Sequence, residues 1–548
     1  MIYNCYNMKN PLINKRTFIT MFCLVVMYLT LVIYLFYLQI INGIKYKFLA
    51  NNNNCKIRYI FSPRGVIYDR YHKEIVINKL SFRLVLMVKK NKTLKELIGE
   101  ISDIFQINIK DIEKNINKNY FTIIKKFKDL NEVNAWKYNN QLNENIFFEE
   151  YWCRENIYEA FNHITGYMKY DINNEISIKG LEKIYNNTLE GKKVSHKIYL
   201  DTHKNIIEDI KRDNYEKGKD LFTTFHLKAQ LYGEKLFNGY RGSIIVMNKE
   251  GEVLVAYSSP HLKVYEENIK DNNYFNKIFQ GKYPPGSIFK VISIMTLFTT
   301  NEFTPICCSG SIYIGNRKFH CWKRTGHGSV NSIEDAFKKS CNIFFYVNCS
   351  NLKNYMKYFF LYLKEFGFEE KTQDIFPEEI KATMKRPEKK SEMMMMSIGQ
   401  GFANSTLIQN CKLVASLMTG NKITPNFIKS NKNISKNEFT KLNVDDDVLK
   451  KVQKAICSTF EEGGNCYHLK KDKYDFFGKT GTAQVMSLKG GKNFSGYKKE
   501  HALFTGGELK SGLFVSALVE NAGFGVGTAG VFSTKLLEFI IENMDKKE

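Results

Sequence analysis

The chain has 548 residues, 44% of them hydrophobic and 14% aromatic, with only 9 prolines. That composition excludes a disordered chain, and the length accommodates two or three domains, each with its own core. A formal net charge of +24 calls for an anionic neighbourhood of nucleic acid, lipid headgroups or cell-wall polymers; without zinc-finger spacing or an aromatic platform, and with lysines scattered among asparagines, nucleic acid is not expected.

In chain order, Thr17–Ile41 carries no charged side chain and is flanked by Lys15-Arg16 and by Lys45 and Lys47. It is long enough to span a bilayer as a tilted helix. It is too long for a signal peptide and is followed by no small-residue cleavage site, so an uncleaved anchor at 17–41 is expected. Residues 1–16 then form a short cytoplasmic tail, and the rest lies outside the membrane. The polar tract Asn51–Asn54 should close the stalk. Residues 55–221 read as a β-rich pedestal domain. Its Pro63-Arg64-Gly65 turn feeds a strand-like segment through Asp69-Arg70, and Ser81–Val88 is β-rich. His163–Tyr167, Gly180-Leu181-Glu182 and Leu189-Glu190-Gly191 punctuate it and read as turns rather than chemistry.

Residues 222–548 read as a second domain. Gly242–Met247 and Glu252–Ser258 form a hairpin around Asn248-Lys249-Glu250-Gly251. A buried helix over Ile288–Phe298 opens a mostly helical stretch that runs to about Thr419. Lys479–Val485 and Gly512–Glu520 read as strands, and Val531–Met544 as a closing helix with Leu536, Leu537, Phe539 and Ile540 on its apolar face. Hairpin, helical insert, two strands and a helix predict an α+β domain whose antiparallel sheet is flanked by helices.

Three groups carry chemistry. Ser287 and Lys290 are spaced to share one face at the start of the buried helix. A serine hydroxyl needs a base to become a nucleophile, and burial lowers a lysine pKa enough for its amine to serve. Ser340-Cys341-Asn342 and Lys479-Thr480-Gly481-Thr482 follow at wide intervals. Singly these read as a helix cap, a core amide or a β-bulge; jointly, and in this order, they form the set found in serine enzymes that acylate on S-x-x-K.

Twelve cysteines in an exported chain suggest disulfides, yet no paired framework is evident. Cys308, Cys321, His327 and Cys341 make up a usual tetrahedral zinc set, closed to substrate and therefore structural. A Cys308–Cys321 disulfide or buried free thiols remain open readings, and Cys307 and His320 compete for the same job.

With these motifs quoted, the chain resembles a class B penicillin-binding protein. Pro63-Arg64-Gly65 through Asp69-Arg70, Gly180-Leu181-Glu182, Ser397-Ile398-Gly399-Gln400-Gly401, His501-Ala502-Leu503-Phe504 and Val519-Glu520-Asn521 are similar to that family's ordered segments. Where the family often has L-T-I-D, this chain has Thr223-Thr224-Phe225-His226, which bears on local packing only. The resemblance implies a peptidoglycan D,D-transpeptidase that cross-links stem peptides through a Ser287 acyl-enzyme and is acylated by β-lactam antibiotics. It implies Lys290 as base, Ser340 and Asn342 as proton relay and amide clamp, Lys479 as a positive charge, and Thr480, Gly481 and Thr482 as the carboxylate-binding strand. It also implies an oxyanion hole from the Ser287 and Thr482 amides, no cofactor for the chemistry, a membrane glycosyltransferase as partner, and kinship with zinc-carrying members from Gram-positive anaerobes and spore formers. The competing readings are a D,D-carboxypeptidase or membrane-anchored β-lactamase, and, from another class, a β-lactam sensor or a cell-wall scaffold. A sensor normally needs a cytoplasmic output domain, and only about 16 residues are expected before the anchor.

Overall fold

The computed structural model describes residues 11–87, 121–127, 130–139, 146–170, 174–200, 206–211, 214–263, 275–349, 354–373, 375–429, 440–483, 500–523 and 525–544. Pro11–Phe36 is helical and continues through a wider turn at Tyr37–Ile41. Among the described residues Lys15–Ile41 is the one helix long and apolar enough to cross a membrane, and none of it is covered by the rest of the protein. Much of the expected tail, residues 1–10, lies outside the described residues. Asn51–Asn54, expected to close the stalk, forms the last turn of a second helix, Gly43–Asn54.

The pedestal is built from strands that are distant in sequence. Cys55–Phe61 pairs antiparallel with Lys193–Leu200. The long strand Glu74–Met87 pairs with both Phe121–Phe127 and Ile146–Asn156. The expected β-rich run from Ser81 lies within that strand, with Val88 outside the described residues. Leu221–Phe222 returns to pair in parallel with Ile67–Tyr68, so both ends of the domain meet at one edge.

Two segments read as turns prove to be halves of one buried ion cluster. Arg64 Nε donates to Glu182 Oε2 at 3.1 Å, and Arg154 Nε donates to Glu182 Oε1 at 2.6 Å. Arg64 also reaches Asn186 Oδ1 at 3.0 Å. Both arginines and the glutamate are buried, so each charge depends on the others for its solvation. This cluster ties the Pro63-Arg64-Gly65 turn to the Gly180–Ile184 helix.

Asp69-Arg70 then joins the pedestal to the second domain. Asp69 Oδ1 accepts the amides of Tyr71 and Lys73, both at 2.8 Å, and Oδ2 accepts the Leu227 amide at 3.2 Å. Leu227 is the first residue of α1 (Leu227–Leu236). Arg70 pairs with Glu252 at 3.4 Å. The Thr223-Thr224-Phe225-His226 segment packs without strain. Thr223 and Thr224 hydroxyls donate to Tyr68 and Val253 carbonyls, Phe225 is fully buried, and His226 Nδ1 accepts the Ala229 amide. The imidazole thus caps α1 as a carboxylate would.

The second domain is organised by an antiparallel sheet of β1 (Gly242–Asn248), β2 (Val253–Ser259), β3 (Phe476–Ala483), β4 (His501–Glu508) and β5 (Leu513–Val519), in the spatial order β2-β1-β5-β4-β3. Almost every residue of these strands is buried. Both faces are therefore covered, which explains apolar runs where one-sided strands would alternate. Helices of this domain that bear on the site or the sheet are α1, α2 (Lys290–Thr300), α3 (Ile333–Lys338), α4 (Asn342–Asn348), α5 (Leu407–Thr419), α6 (Asp446–Ser458) and α7 (Val531–Asn543). α1 and α7 pack on each other against the sheet, while α5 and α6 contact β5 and β3. β3 ends at Ala483, and the two further residues expected in it are outside the described residues.

The expected helical stretch is interrupted. Ile306–Cys308 pairs with Gly328–Val330, and Ser311–Ile314 with Arg317–His320. These strands are too short to leave an alternating pattern, and they surround the thiol cluster described below.

Candidate active site

Ser287 lies on a tight turn. Gly286 has φ +57°, and Gly286–Phe289 forms a 3-10 turn that runs directly into α2. The serine thus precedes the α-helix proper by one tight turn rather than occupying its first α-helical position. Helix α2 is buried around its circumference from Lys290 to Leu297, as a core helix is. Tertiary burial therefore fixes Lys290, leaving it no route to water.

Main-chain contact places this turn against β3 and the Ser397–Gly401 segment. A Cβ on Gly286 would stand 2.7 Å from Thr482 O, one on Gly481 2.6 Å from Pro285 O, and one on Gly399 2.1 Å from Gly286 O. The Gly286 amide donates to Gly399 O at 2.9 Å, and Gln400 Nε2 donates to Thr482 O at 2.8 Å. Three backbone segments meet here with no side chain between them, and the Ser287 and Thr482 amides lie on neighbouring segments.

Ser340 supplies the second wall. Helix α3 ends in a reversal in which Ser340 adopts φ +54°, a conformation unfavourable for a residue with a Cβ. The Ser340 amide donates to Phe337 O and the Cys341 amide to Ala336 O before α4 begins at Asn342. The reversal turns both oxygens of Ser340 toward Lys290. Lys290 Nζ donates to Ser340 O at 2.8 Å, to Ser340 Oγ at 3.1 Å and to Asn342 Oδ1 at 2.6 Å. Burial, then the nearby Lys479 charge, pushes the Lys290 amine down to about 7.

Lys479 on β3 is also buried, and its Nζ has no hydrogen-bond partner among the described residues. It lies over the Phe337 ring at 5.7 Å, and burial brings it down to about 8. Its strand neighbours differ from each other. The Thr480 hydroxyl is buried and accepts from Asn465 Nδ2 at 2.9 Å, whereas Thr482 is only half-buried. The sequence reading missed Asn465, whose amide also donates to Lys338 O at 3.2 Å. No motif marks it, because its partners lie far away along the chain. Tyr283, four residues before Ser287, was missed too. Its hydroxyl donates to Glu520 Oε1 at 2.7 Å, which latches the serine turn to the end of β5.

Behind Ser340 and Asn342, the ligand atoms of Cys308, Cys321, His327 and Cys341 all lie within 4.8 Å of one another. His327 Nδ1 is 3.6 Å from Cys308 Sγ and 3.5 Å from Cys321 Sγ. The three thiols are buried and free, while Cys307 and His320 are exposed and stand outside the cluster. The Asn342 amide donates to Cys321 Sγ at 3.3 Å, so the cluster touches the residue that holds Lys290. The Cys321–Cys341 hydrogen bond lowers the Cys321 thiol and raises its partner Cys341, so of the two it is Cys321 that gives up its proton first. Three buried sulfurs and one imidazole at this spacing suit a tetrahedral Zn²⁺.

Comparison with known proteins gives a consistent result. Residues 242–530 match the penicillin binding protein transpeptidase domain, and residues 59–223 match the penicillin-binding protein dimerisation domain. Peptidoglycan D,D-transpeptidase MrdA of Haemophilus influenzae is 25% identical over 97% of this chain and 92% of its own length. Stage V sporulation protein D of Bacillus subtilis is 23% identical over 88% of this chain and 78% of its own length. Among solved structures, the penicillin-binding protein PBP2 of Helicobacter pylori in complex with MreC superposes with a TM-score of 0.75 at 22% identity, over 89% of this chain and 99% of that one.

Proposed function

Because this chain belongs to the penicillin-binding protein transpeptidase family, we propose that Ser287 is the nucleophile of a peptidoglycan D,D-transpeptidase acting in cell-wall synthesis. The Ser287 hydroxyl attacks the carbonyl between the last two D-alanines of a stem peptide, and Lys290 takes its proton. The new ester bond joins the peptide to the serine as the terminal D-alanine departs, its amine protonated through Ser340. An amine from a neighbouring stem peptide then attacks the ester, which forms the cross-link and returns Ser287 to its hydroxyl. Asn342 holds the substrate amide. Thr482, with Thr480 and Gly481 on the same strand and Lys479 beneath, receives the terminal carboxylate. The Ser287 and Thr482 amides face the developing oxyanion, where one such donor typically contributes about 3 kcal/mol.

A single observation carries the reading. The amine one tight turn beyond Ser287 is buried, held near 7, and bonded to both polar residues of the second motif. That arrangement supplies a base at neutral pH, as acid–base catalysis requires.

Cys308, Cys321, His327 and Cys341 would hold a structural zinc ion, with all four positions taken by protein. Such an ion would pin the Ser340–Asn342 reversal, since Cys341 lies within that motif. The same set supports kinship with zinc-carrying members from Gram-positive anaerobes and spore formers. Lys15–Ile41 supports a single membrane anchor with the catalytic domain outside the cytoplasm, and a membrane glycosyltransferase is the expected partner. The PBP2 of H. pylori is described in complex with MreC, which supports a protein partner for this chain as well.

Fluorescent penicillin tests the reading. The purified chain should take up the label covalently and retain it for hours, and Ser287→Ala should abolish uptake. Uptake that survives the substitution refutes the assignment, whereas rapid release of the label identifies a hydrolase instead.

A further inference from the structure

The segment that wraps the thiol cluster carries a second property, unrelated to metal binding. From Phe303 to Ile333 the sequence contains no Asp or Glu but does contain Arg317, Lys318, Lys323 and Arg324. All four are exposed. Arg317 lies over Phe319 and Lys318 over Tyr313, each at 5.4 Å, and none of the four forms an ion pair with a carboxylate among the described residues. The neighbouring cations behave differently: Lys338 pairs with Glu461 at 3.2 Å and Lys339 with Asp335 at 2.9 Å. Two aromatic rings stand out from the same surface, Tyr313 at 68% and Trp322 at 51% exposure.

This surface is tied to the cleft. Trp322 Nε1 donates to Lys339 O at 3.2 Å, immediately before Ser340, and Cys321 Sγ accepts the Asn342 amide. Lys323 and Arg324 follow directly and turn back through the Gly326 amide to Lys323 O at 3.0 Å. Unpaired cations on a short, well-braced hairpin keep their charge available to a ligand, and exposed aromatic rings add area for a peptide to lie on.

We propose that Arg317, Lys318, Lys323 and Arg324, with Trp322 and Tyr313, form a secondary binding surface for an acidic peptide, namely the carboxylate-bearing part of the stem peptide whose end occupies the cleft. The proposal rests on the transpeptidase reading. A substrate already held at Ser287 meets this rim at high effective concentration, so modest contacts bias which peptides are used. The cations attract the free carboxylates along the stem, while the cleft itself reads only the terminal one.

The test uses the full chain in detergent and two synthetic stem pentapeptides, one with its side-chain carboxylates free and one with them amidated. The readout is the ratio of their KM values at 50 mM and 500 mM salt. The wild type should favour the acidic peptide about tenfold at low salt and lose most of that preference at high salt, where screening shortens the reach of exposed charges. The variant Arg317→Glu, Lys318→Glu, Lys323→Glu, Arg324→Glu should lose the preference at both salts, with penicillin labelling reporting that its cleft has formed. A preference that survives the fourfold reversal overturns the proposal. So does an unchanged preference accompanied by lost binding to phosphatidylglycerol vesicles, which would assign the surface to lipid. A wild type that fails to take up penicillin refutes the transpeptidase reading itself, a distinct result.

Discussion

Lys479 is a buried cation without a hydrogen-bond partner among the described residues, so replacing it with methionine should make the protein more stable and less useful. Unfolded, its amine titrates near 10.5; folded, it is held at about 8. Below pH 8 it is protonated in both states, and the fold bears the full cost of burying the charge, about 3 kcal/mol. Between about 8 and 10.5 the folded amine is neutral while the unfolded one still binds a proton, so the cost shrinks as pH rises and vanishes above 10.5. Methionine has a similar volume and no charge, and it forfeits only the attraction to the Phe337 ring, which contributes about 1 kcal/mol. A net gain of about 2 kcal/mol at pH 7 corresponds to an increase of about 3 °C in Tm for the second domain. Calorimetry of wild type and Lys479→Met at pH 7, 8.5 and 10 measures it directly, with the gap expected to close as pH rises. The variant should also take up penicillin at least tenfold more slowly. A variant less stable at pH 7, or a gap that does not change with pH, would refute the reasoning.

Acylation by penicillin should rise with pH through about 7, where Lys290 becomes neutral and can act as base, and fall again above about 8 as Lys479 loses its charge. At an ordinary lysine value only about 3 in 10,000 side chains would be neutral at pH 7; a rate that keeps climbing past pH 9 would contradict this. Gly286→Ala should reduce acylation by about a hundredfold or more, since the added Cβ lands 2.7 Å from Thr482 O at a positive φ; stopped-flow labelling gives the ratio. Glu182→Ala leaves Arg64 and Arg154 buried without their shared partner, and should destabilise the pedestal by about 3–5 kcal/mol in denaturant unfolding. Metal analysis of purified wild type should find one zinc per chain, and Cys341→Ser should lose it; metal-free wild type would remove zinc from the account.

Much of this architecture was legible where the signal is local. The hairpin of β1 and β2 follows from two apolar runs around Asn248-Lys249-Glu250-Gly251, and α7 from its apolar face. Ser287 and Lys290 were legible as a pair because three residues bring them onto one turn. What stayed hidden depends on partners far apart in sequence. Glu182 looked like part of a glycine-marked turn, since nothing near it foretells Arg64 and Arg154. Asn465 and Tyr283 meet Thr480 and Glu520 only once the sheet has formed. The left-handed Ser340 was also invisible, because serine carries no preference for that conformation; the flanking helices impose it. The four short strands around the thiols went unmarked inside a stretch read as mostly helical, because each is too brief to establish a period.

The meeting of Gly286, Gly399 and Gly481 has a consequence for inhibition. A drug that acylates Ser287 rests on a floor of peptide groups, and peptide groups are common to all amino acids. A mutation there offers no new contact to exchange and meets a collision instead, so the enzyme gives up its own reaction before it gives up the drug. Resistance is therefore left to peripheral residues or to a second enzyme that takes over the work.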